Sequence, residues 1–458
     1  MTMFSLREAA DACHGELHDA PETVRFVAVS TDSRSVAPGE LFVAIAGENF
    51  DGHDFVAAAL ARGAVAALVS AEWARSRGQG LALIVVEQTR LALGELAGAW
   101  RRRFELPLIG VTGSNGKTTV KEMCASILAA WTGDPGCVLA TAGNLNNDIG
   151  LPLMLLRLRS NHRAAVIEMG MNHPGEIDYL ARIAQPTVAV ITNAQRAHLE
   201  GLGGITAVAR AKGEIFAGLR PGGVAIINAD DGHAALWREL AGAYKRVDFS
   251  LEREAAVSGR YAAQGYGGRL ELTTPQGQAL VELRLPGRHN AANALAAAAA
   301  TLAVGCGLAA VVAGLDACSS VKGRLQKKAG VSGAVVIDDS YNANPDSLRA
   351  AIDVLAAMPG KKILVLGDMG EVGEAAAQYH DEVGGYAKSM GVDLLFAVGE
   401  HAATAVHNFD GGASHFKNVY ALIEALRPAL DAQTTVLVKG SRFMKMERVV
   451  EAITVAPT

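Results

Sequence analysis

The sequence contains no long block of basic residues, and its formal net charge of -5 is small for 458 residues. That composition argues against nucleic-acid binding as its main task, and no nucleic-acid partner is expected. Arg101-Arg102-Arg103 is the one compact run of like charge, and it reads as the polar end of a helix leading into a strand. Cysteine is scarce. Cys13, Cys124, Cys137, Cys306 and Cys318 are scattered, odd in number and without C-x-x-C spacing, so neither a disulfide framework nor a zinc site is expected. A reducing cytoplasm is the compartment this implies. The start lacks a basic segment followed by an apolar stretch and a small-residue cleavage site, so secretion is not expected. Residues 294–315 carry no charge for long enough to span a bilayer. They are mostly alanine, however, and Gly305-Cys306-Gly307 interrupts them, so two small-residue helices inside a soluble domain are expected and membrane insertion is not.

What is present is α/β patterning over a length that exceeds one core. Residues 1–88 mix short apolar runs (Phe26 to Val29, Leu41 to Ile45) with turn signals and a helical stretch at Phe55 to Arg62, which predicts a small α/β domain. Residues 89–322 open with an amphipathic helix from Leu91. Apolar strands follow at Leu108 to Val111, Ala164 to Ile167, Val188 to Ile191 and Val224 to Ile227, with helical pattern between them. That alternation predicts a doubly wound, mainly parallel sheet. Residues 323–458 repeat the style at Ala334 to Ile337, Lys362 to Leu366, Leu394 to Val398 and Thr435 to Val438, which predicts a third, Rossmann-like α/β domain.

The strongest chemical signal is Gly110-Val111-Thr112-Gly113-Ser114-Asn115-Gly116-Lys117-Thr118-Thr119, set between a strand and a helix. Glycines let the backbone turn its N–H groups and the helix N-terminus toward phosphate, Lys117 supplies charge, and the Thr118 hydroxyl suits Mg²⁺. The usual spacing would place a glycine at Val111, and Gly113 compensates. Glu168 and His198 each follow an apolar strand, at the same sheet edge as the loop, where a carboxylate and an imidazole could hold Mg²⁺ between ATP and an acceptor. Lys212 reads from composition as a helix-surface lysine. The amides of Asn144, Asn146 and Asn147 suit a polar ligand and are as common in turns. Asn290 could read a base edge, and Arg324 either neutralises phosphate charge or forms an interdomain ion pair. Asp338 to Pro345, Leu366 to Glu371 and Lys439 to Lys445 end strands of the third domain. The middle and last of these carry groups that could receive a small carboxylate, with ordinary loop composition as the alternative.

In this order, the segments TGSNGKTT (112–119), EMGMNHPGEI (168–177), His198, AKGEIF (211–216), GRHNAANALAA (287–297), GRLQ (323–326) and DDSYNANPDSL (338–348) resemble the motifs of the Mur ligase superfamily over essentially the full chain. Thr31 to Arg34, Pro38 to Ala44 and Asp51 to Phe55 at the start, with LGDMGE (366–371) and KGSRFMKME (439–447) at the end, resemble the branch that joins D-alanyl-D-alanine to UDP-N-acetylmuramoyl-tripeptide, a precursor of peptidoglycan. The DNPR-type motif of the tripeptide-forming branch is absent from this sequence.

The resemblance implies an ATP- and Mg²⁺-dependent amide ligase working through an acyl phosphate; a monomer is the default expectation for its assembly. It implies ATP contacts at Gly113, Ser114, Asn115, Gly116, Lys117, Thr118, Thr119, Asn290, Arg324 and Asp339, and metal contacts at Thr118, Glu168 and His198. It sets Lys212 at the family's carbamoylated lysine, which reverses the composition reading. Asp32, Ser33, Arg34, Asn49, Asp51 and Gly52 would receive the uridine nucleotide, and Asn146 and Asn147 the muramoyl-peptide side. Another ligase of the superfamily, tripeptide-forming or folylpolyglutamate-like, and a nucleotide-driven switch without ligation are the competing expectations.

Overall fold

A computed structural model describes residues 2–197 and 199–455. His198 therefore lies outside the described residues. Three sheets form, each mainly parallel. The first has the order Glu16–His18, Leu83–Val86, Ala66–Ser70, Leu41–Val43, Val29–Ser30, with only the Glu16–His18 edge antiparallel. Of the apolar run Phe26 to Val29 only Val29 enters a strand, Val29–Ser30, while Phe26 packs in the core beside Phe4.

In the second sheet, Leu108–Thr112 lies between Val188–Ile191 and Ala164–Glu168, with all three strands parallel and buried. Short, wholly apolar runs fit this position because both faces are covered by helices. Chain order reverses at Leu108–Thr112, so a crevice opens beyond the C-terminal ends of these strands. Val257–Gln264, Gly267–Thr274 and Gly277–Leu283 extend the sheet as antiparallel hairpins that the sequence reading did not anticipate. Their signal is the alternation at Gly267–Thr274, where Leu270, Leu272 and Thr274 are buried and Arg269, Glu271 and Thr273 exposed.

The third sheet runs Gln326–Ala329, Val335–Asp339, Thr434–Lys439, Lys361–Gly367, Leu394–Val398, Ala413–Phe416, antiparallel only at its first pair.

The alanine-rich stretch forms two helices, Arg288–Val304 and Leu308–Ala317, both packed on Lys117–Thr132. Contact is close: a Cβ at Gly314 would lie 2.4 Å from Ile127 Cα. Among the described residues no helix is long and apolar enough to cross a membrane. The basic run differs from its expected polar ending. Arg101 is fully buried and its guanidinium donates to the carbonyls of Ala184, the last residue of a helix, at 3.0 Å and of Phe104 at 2.6 Å. Arg103 stacks over Phe4 at 4.1 Å and pairs with Glu8.

One apolar core runs without a break from the first domain (Phe4, Leu68, Ile84) through the helix Thr89–Arg101 into the central domain (Leu155, Leu180). The third domain instead has its own cores on the two faces of its sheet.

Candidate active site

The phosphate loop leaves the buried strand Leu108–Thr112 and enters the helix Lys117–Thr132. Gly113 has φ +146° and a Cβ there would sit 1.8 Å from Thr192 Oγ1; Gly116 has φ +83° and its Cβ would meet Asn293 Oδ1 at 2.3 Å. Neither position accepts a side chain, whereas Val111 is an ordinary core residue of the strand. The loop is docked on the next strand end: Ser114 N–H donates to Asn193 O at 3.0 Å, Asn115 N–H to Asn193 Oδ1 at 2.9 Å, and Thr192 Oγ1 to Asn115 O at 2.6 Å.

Lys117 folds back so that Nζ donates to Gly113 O at 2.7 Å and Ser114 O at 3.1 Å. Burial pushes its pKa down, and the charge of Glu168 opposes that shift. Thr118 Oγ1 donates to Glu168 Oε2 at 2.9 Å and accepts from Arg324 Nη2 at 3.0 Å, while Asn146 Nδ2 donates to Glu168 Oε1 at 2.8 Å. Glu168 is the buried last residue of its strand, and its N–H donates to Thr141 Oγ1 at 2.9 Å. Arg324 crosses from the third domain to a hydroxyl and also lies 4.3 Å from the Tyr341 ring.

Ser114 to Thr119, Asn146, Asn147, Glu168, Asn290, Arg324 and Asp339 all line one cavity of about 1430 Å³. Asn290 is held by its own backbone environment, donating from Nδ2 to Pro286 O at 2.7 Å. Asp339 is buried and accepts from Leu325 N–H at 3.0 Å and from Lys439 Nζ; burial raises its pKa although Lys439 opposes that. Asn147 caps a turn through Gly150 N–H at 2.8 Å, while Asn146 points at Glu168, so the amide cluster divides between its two readings.

Lys212 is fully buried in the helix Ile205–Gly213, and its Nζ has no hydrogen-bond partner. The helix-surface reading is therefore wrong: Val208, Lys212 and Ile215 share a buried stripe at helical spacing, a pattern visible in the sequence. Burial, with Lys117 adding its charge, drives the amine far below an ordinary lysine pKa.

The candidates of the first domain lie outside the cavity lining, and Asp32, Arg34, Asp51 and Gly52 have local partners. Asp32 accepts from Arg34 Nε at 2.9 Å, and Asp51 Oδ1 accepts from His53 N–H at 3.0 Å. Gly52 passes so close to the sheet that a Cβ would meet Ile45 N at 2.6 Å. Ser33 and Asn49 flank these turns. Among the described residues, Glu48 is the first domain's contribution to the cavity wall.

In the third domain Lys439 is already paired with Asp339 in a buried position, whereas Arg442 pairs with Glu447 and stays exposed. Asp368 accepts from Ala402 N–H at 2.7 Å, which gives it a structural task.

Comparison with known proteins finds a match in each part of the chain. Family models described as Mur ligase family, catalytic domain, as Mur ligase middle domain and as Mur ligase, glutamate ligase domain match residues 25–101, 111–301 and 323–442. The UDP-N-acetylmuramoyl-tripeptide--D-alanyl-D-alanine ligase of Escherichia coli (strain K12) is 45% identical over 460 residues, covering 99% of both chains. The chain belongs to the Mur ligase family. Among solved Mur ligase structures, MurF from Acinetobacter baumannii superposes with a TM-score of 0.92 at 38% identity, over 98% of each chain. MurF ligase from Thermotoga maritima in complex with ADP gives 0.82 at 26% identity, over 93% of this chain and 96% of that one.

Proposed function

We propose that this Mur ligase uses ATP and Mg²⁺ to join D-alanyl-D-alanine to UDP-N-acetylmuramoyl-tripeptide, giving the pentapeptide precursor of peptidoglycan. The observation that carries the reading is the hydrogen-bonded chain Arg324–Thr118–Glu168–Asn146 beside Lys117 on one cavity wall. A relative bearing that activity in its name is 45% identical over 99% of this chain, which supports the choice of substrates.

A carboxylate is a poor electrophile, so its oxygen first takes the γ-phosphoryl group of ATP, releasing ADP. The amine nitrogen then attacks the acyl carbon, the bond from that carbon to the phosphate oxygen breaks, and amide, phosphate and a proton leave. Two anions must meet in the first step, and cations on the wall lower that barrier. Lys117 and the loop N–H groups of Ser114 to Thr119 would hold the phosphates, with Arg324 facing them from the third domain. Asn290 and Asp339 would contact the nucleotide.

Thr118 and Glu168 present hard oxygen donors side by side, which fits Mg²⁺, and His198 would serve a further ion. The metal, when bound, screens the phosphate charge. Lys212 fits carbamoylation, since burial without a partner favours the uncharged, nucleophilic form of the amine, and the product would be an anion able to help hold metal. Asn146 and Asn147 would face the muramoyl peptide, and Asp32, Ser33, Arg34, Asn49, Asp51 and Gly52 the uridine nucleotide. We divide the chain at 88 and 322, read it as cytoplasmic, in keeping with five unpaired thiols, and take a monomer as its default assembly.

Mass spectrometry of the product from the UDP-linked tripeptide, ATP and D-alanyl-D-alanine tests the proposal. Amide formation with this dipeptide, and not with meso-diaminopimelate, lysine or glutamate on their respective acceptors, is the expected result. Nucleotide hydrolysis without any amine-dependent product would overturn it.

A further inference from the structure

The polar border between the central and third domains is organised around Arg196, in the loop after Val188–Ile191. Its N–H donates to Asp346 Oδ2 at 2.8 Å, while Nε and Nη2 donate to Asp346 Oδ1 at 3.0 and 2.6 Å. Nη1 and Nη2 also donate to Glu382 Oε2 and Oε1 at 2.9 and 3.2 Å. One guanidinium thus ties two helices of the third domain, Pro345–Ala356 and Ala376–Ser389, to a loop of the central domain. The side chain is 22% exposed, and Arg349 Nη1 donates to Glu382 Oε1 at 2.8 Å, so both the ion pair and its acceptor are held in place.

The same junction reaches the phosphate loop. Asn344 Nδ2 donates to Asn115 Oδ1 at 2.8 Å and Asn115 Nδ2 to Asn344 Oδ1 at 3.2 Å. Asn115 Nδ2 also donates to Gln195 Oε1 at 2.7 Å, and Gln195 N–H to Ser114 Oγ at 3.0 Å. The loop that cradles phosphate, the segment carrying Arg196 and the first turn of the helix Pro345–Ala356 therefore form one hydrogen-bonded unit.

We propose that Arg196 is a positioning residue: it latches the third domain over the central one, sets the phosphate loop through Gln195 and Asn115, and thereby keeps water from the acyl phosphate. A latch of charge and amides can open for exchange of substrates, because its groups find equivalent partners in water. Directional, bidentate contacts return the domain to one closed geometry. The inference rests on the ligase reading above.

In the closed site the amine attacks the acyl carbon. In an open one water attacks the same carbon, returning the carboxylate and releasing phosphate, so ATP is consumed without amide. The readout is phosphate released per amide formed. The wild-type ratio should lie near one-to-one, whereas Arg196→Ala should raise it about threefold or more and lower kcat for amide about tenfold, with the melting temperature little changed. Arg196→Lys should fall between them.

Glu382→Gln, outside the cavity lining, should move the ratio in the same direction by less, and the double variant should be no worse than Arg196→Ala alone. An unchanged ratio in a folded Arg196→Ala, or strictly additive effects, overturns the latch. If Arg196→Ala does not fold, the Glu382→Gln ratio decides in the same way. Absence of amide product from the wild type overturns the ligase reading itself, whereas normal product with an unmoved ratio overturns the latch alone.

Discussion

The central domain joins the first through a continuous apolar core, in which Phe4 meets Trp100 edge-on at 5.2 Å between ring centroids. It joins the third through ion pairs such as Arg196 with Asp346 and hydrogen bonds such as Arg324 with the Thr118 hydroxyl. Burying apolar surface is favourable by about 25 cal/mol per Å² and has no comparable replacement in water, so the first border holds as part of one core. A polar border trades its hydrogen bonds for bonds to water at small net cost, so it can open without unfolding either side. The phosphate loop, Glu168 and Arg324 all stand at the second border. Ligation needs that arrangement, because three substrates must enter and water must then be shut out.

The contrast breaks most visibly under truncation of Trp100, which is 1% exposed and donates from Nε1 to Leu158 O at 3.0 Å. Trp100→Ala should cost about 3–5 kcal/mol in urea unfolding and loosen the first and central domains together. A loss below about 1 kcal/mol would mean that the shared core is not what joins them. On the polar side the expected effect falls on rate. Lys117→Ala should lower amide formation about 10²–10³-fold. The melting temperature should stay close to that of the wild type, since Lys117 is desolvated and bonded only to its own loop. Unchanged turnover would remove Lys117 from the phosphate site.

Which of these features can be read from residues alone follows from how local their causes are. The parallel strands are legible because burial on both faces demands unbroken apolar runs such as Val188–Ile191. The phosphate loop is legible because its glycines, Lys117 and Thr118 are consecutive. The hairpins at Val257–Leu283 are fainter, since a sheet with one wet face shows alternation and not a run. Composition alone puts Lys212 on a helix surface, since its neighbours Arg210 and Glu214 are polar, although its stripe mates Val208 and Ile215 are not. Arg196 carries no local signal at all: its carboxylates lie 150 and 186 residues further along the chain. Interfaces between domains are made of such distant pairs, so the polar border appears only once the chain is folded.

Acid should separate the two borders by a smaller, graded effect. His289 lies half-buried in the first turn of the helix Arg288–Val304 on the cavity wall, and desolvation, reinforced by the charge of Lys439 from the third domain, pushes its pKa down to about 4. In the unfolded chain the imidazole titrates near ~6.5. Between those values the unfolded chain binds a proton that the folded chain does not, so stability falls as pH drops from about 6.5 to about 4 and levels off below. His380 acts in the same sense. Burial lowers its pKa, and its Nε2 accepts from Met369 N–H at 2.9 Å, a bond that protonation of that nitrogen abolishes. Both groups belong to the polar border and the third domain, so acid should loosen these before it touches the core around Trp100. Thermal unfolding of wild type and His289→Asn across this range should show the variant losing stability less steeply. Parallel slopes would mean that His289 stays solvated, and that the third domain rests less closely on the central one than the contacts of Arg196 and Arg324 require.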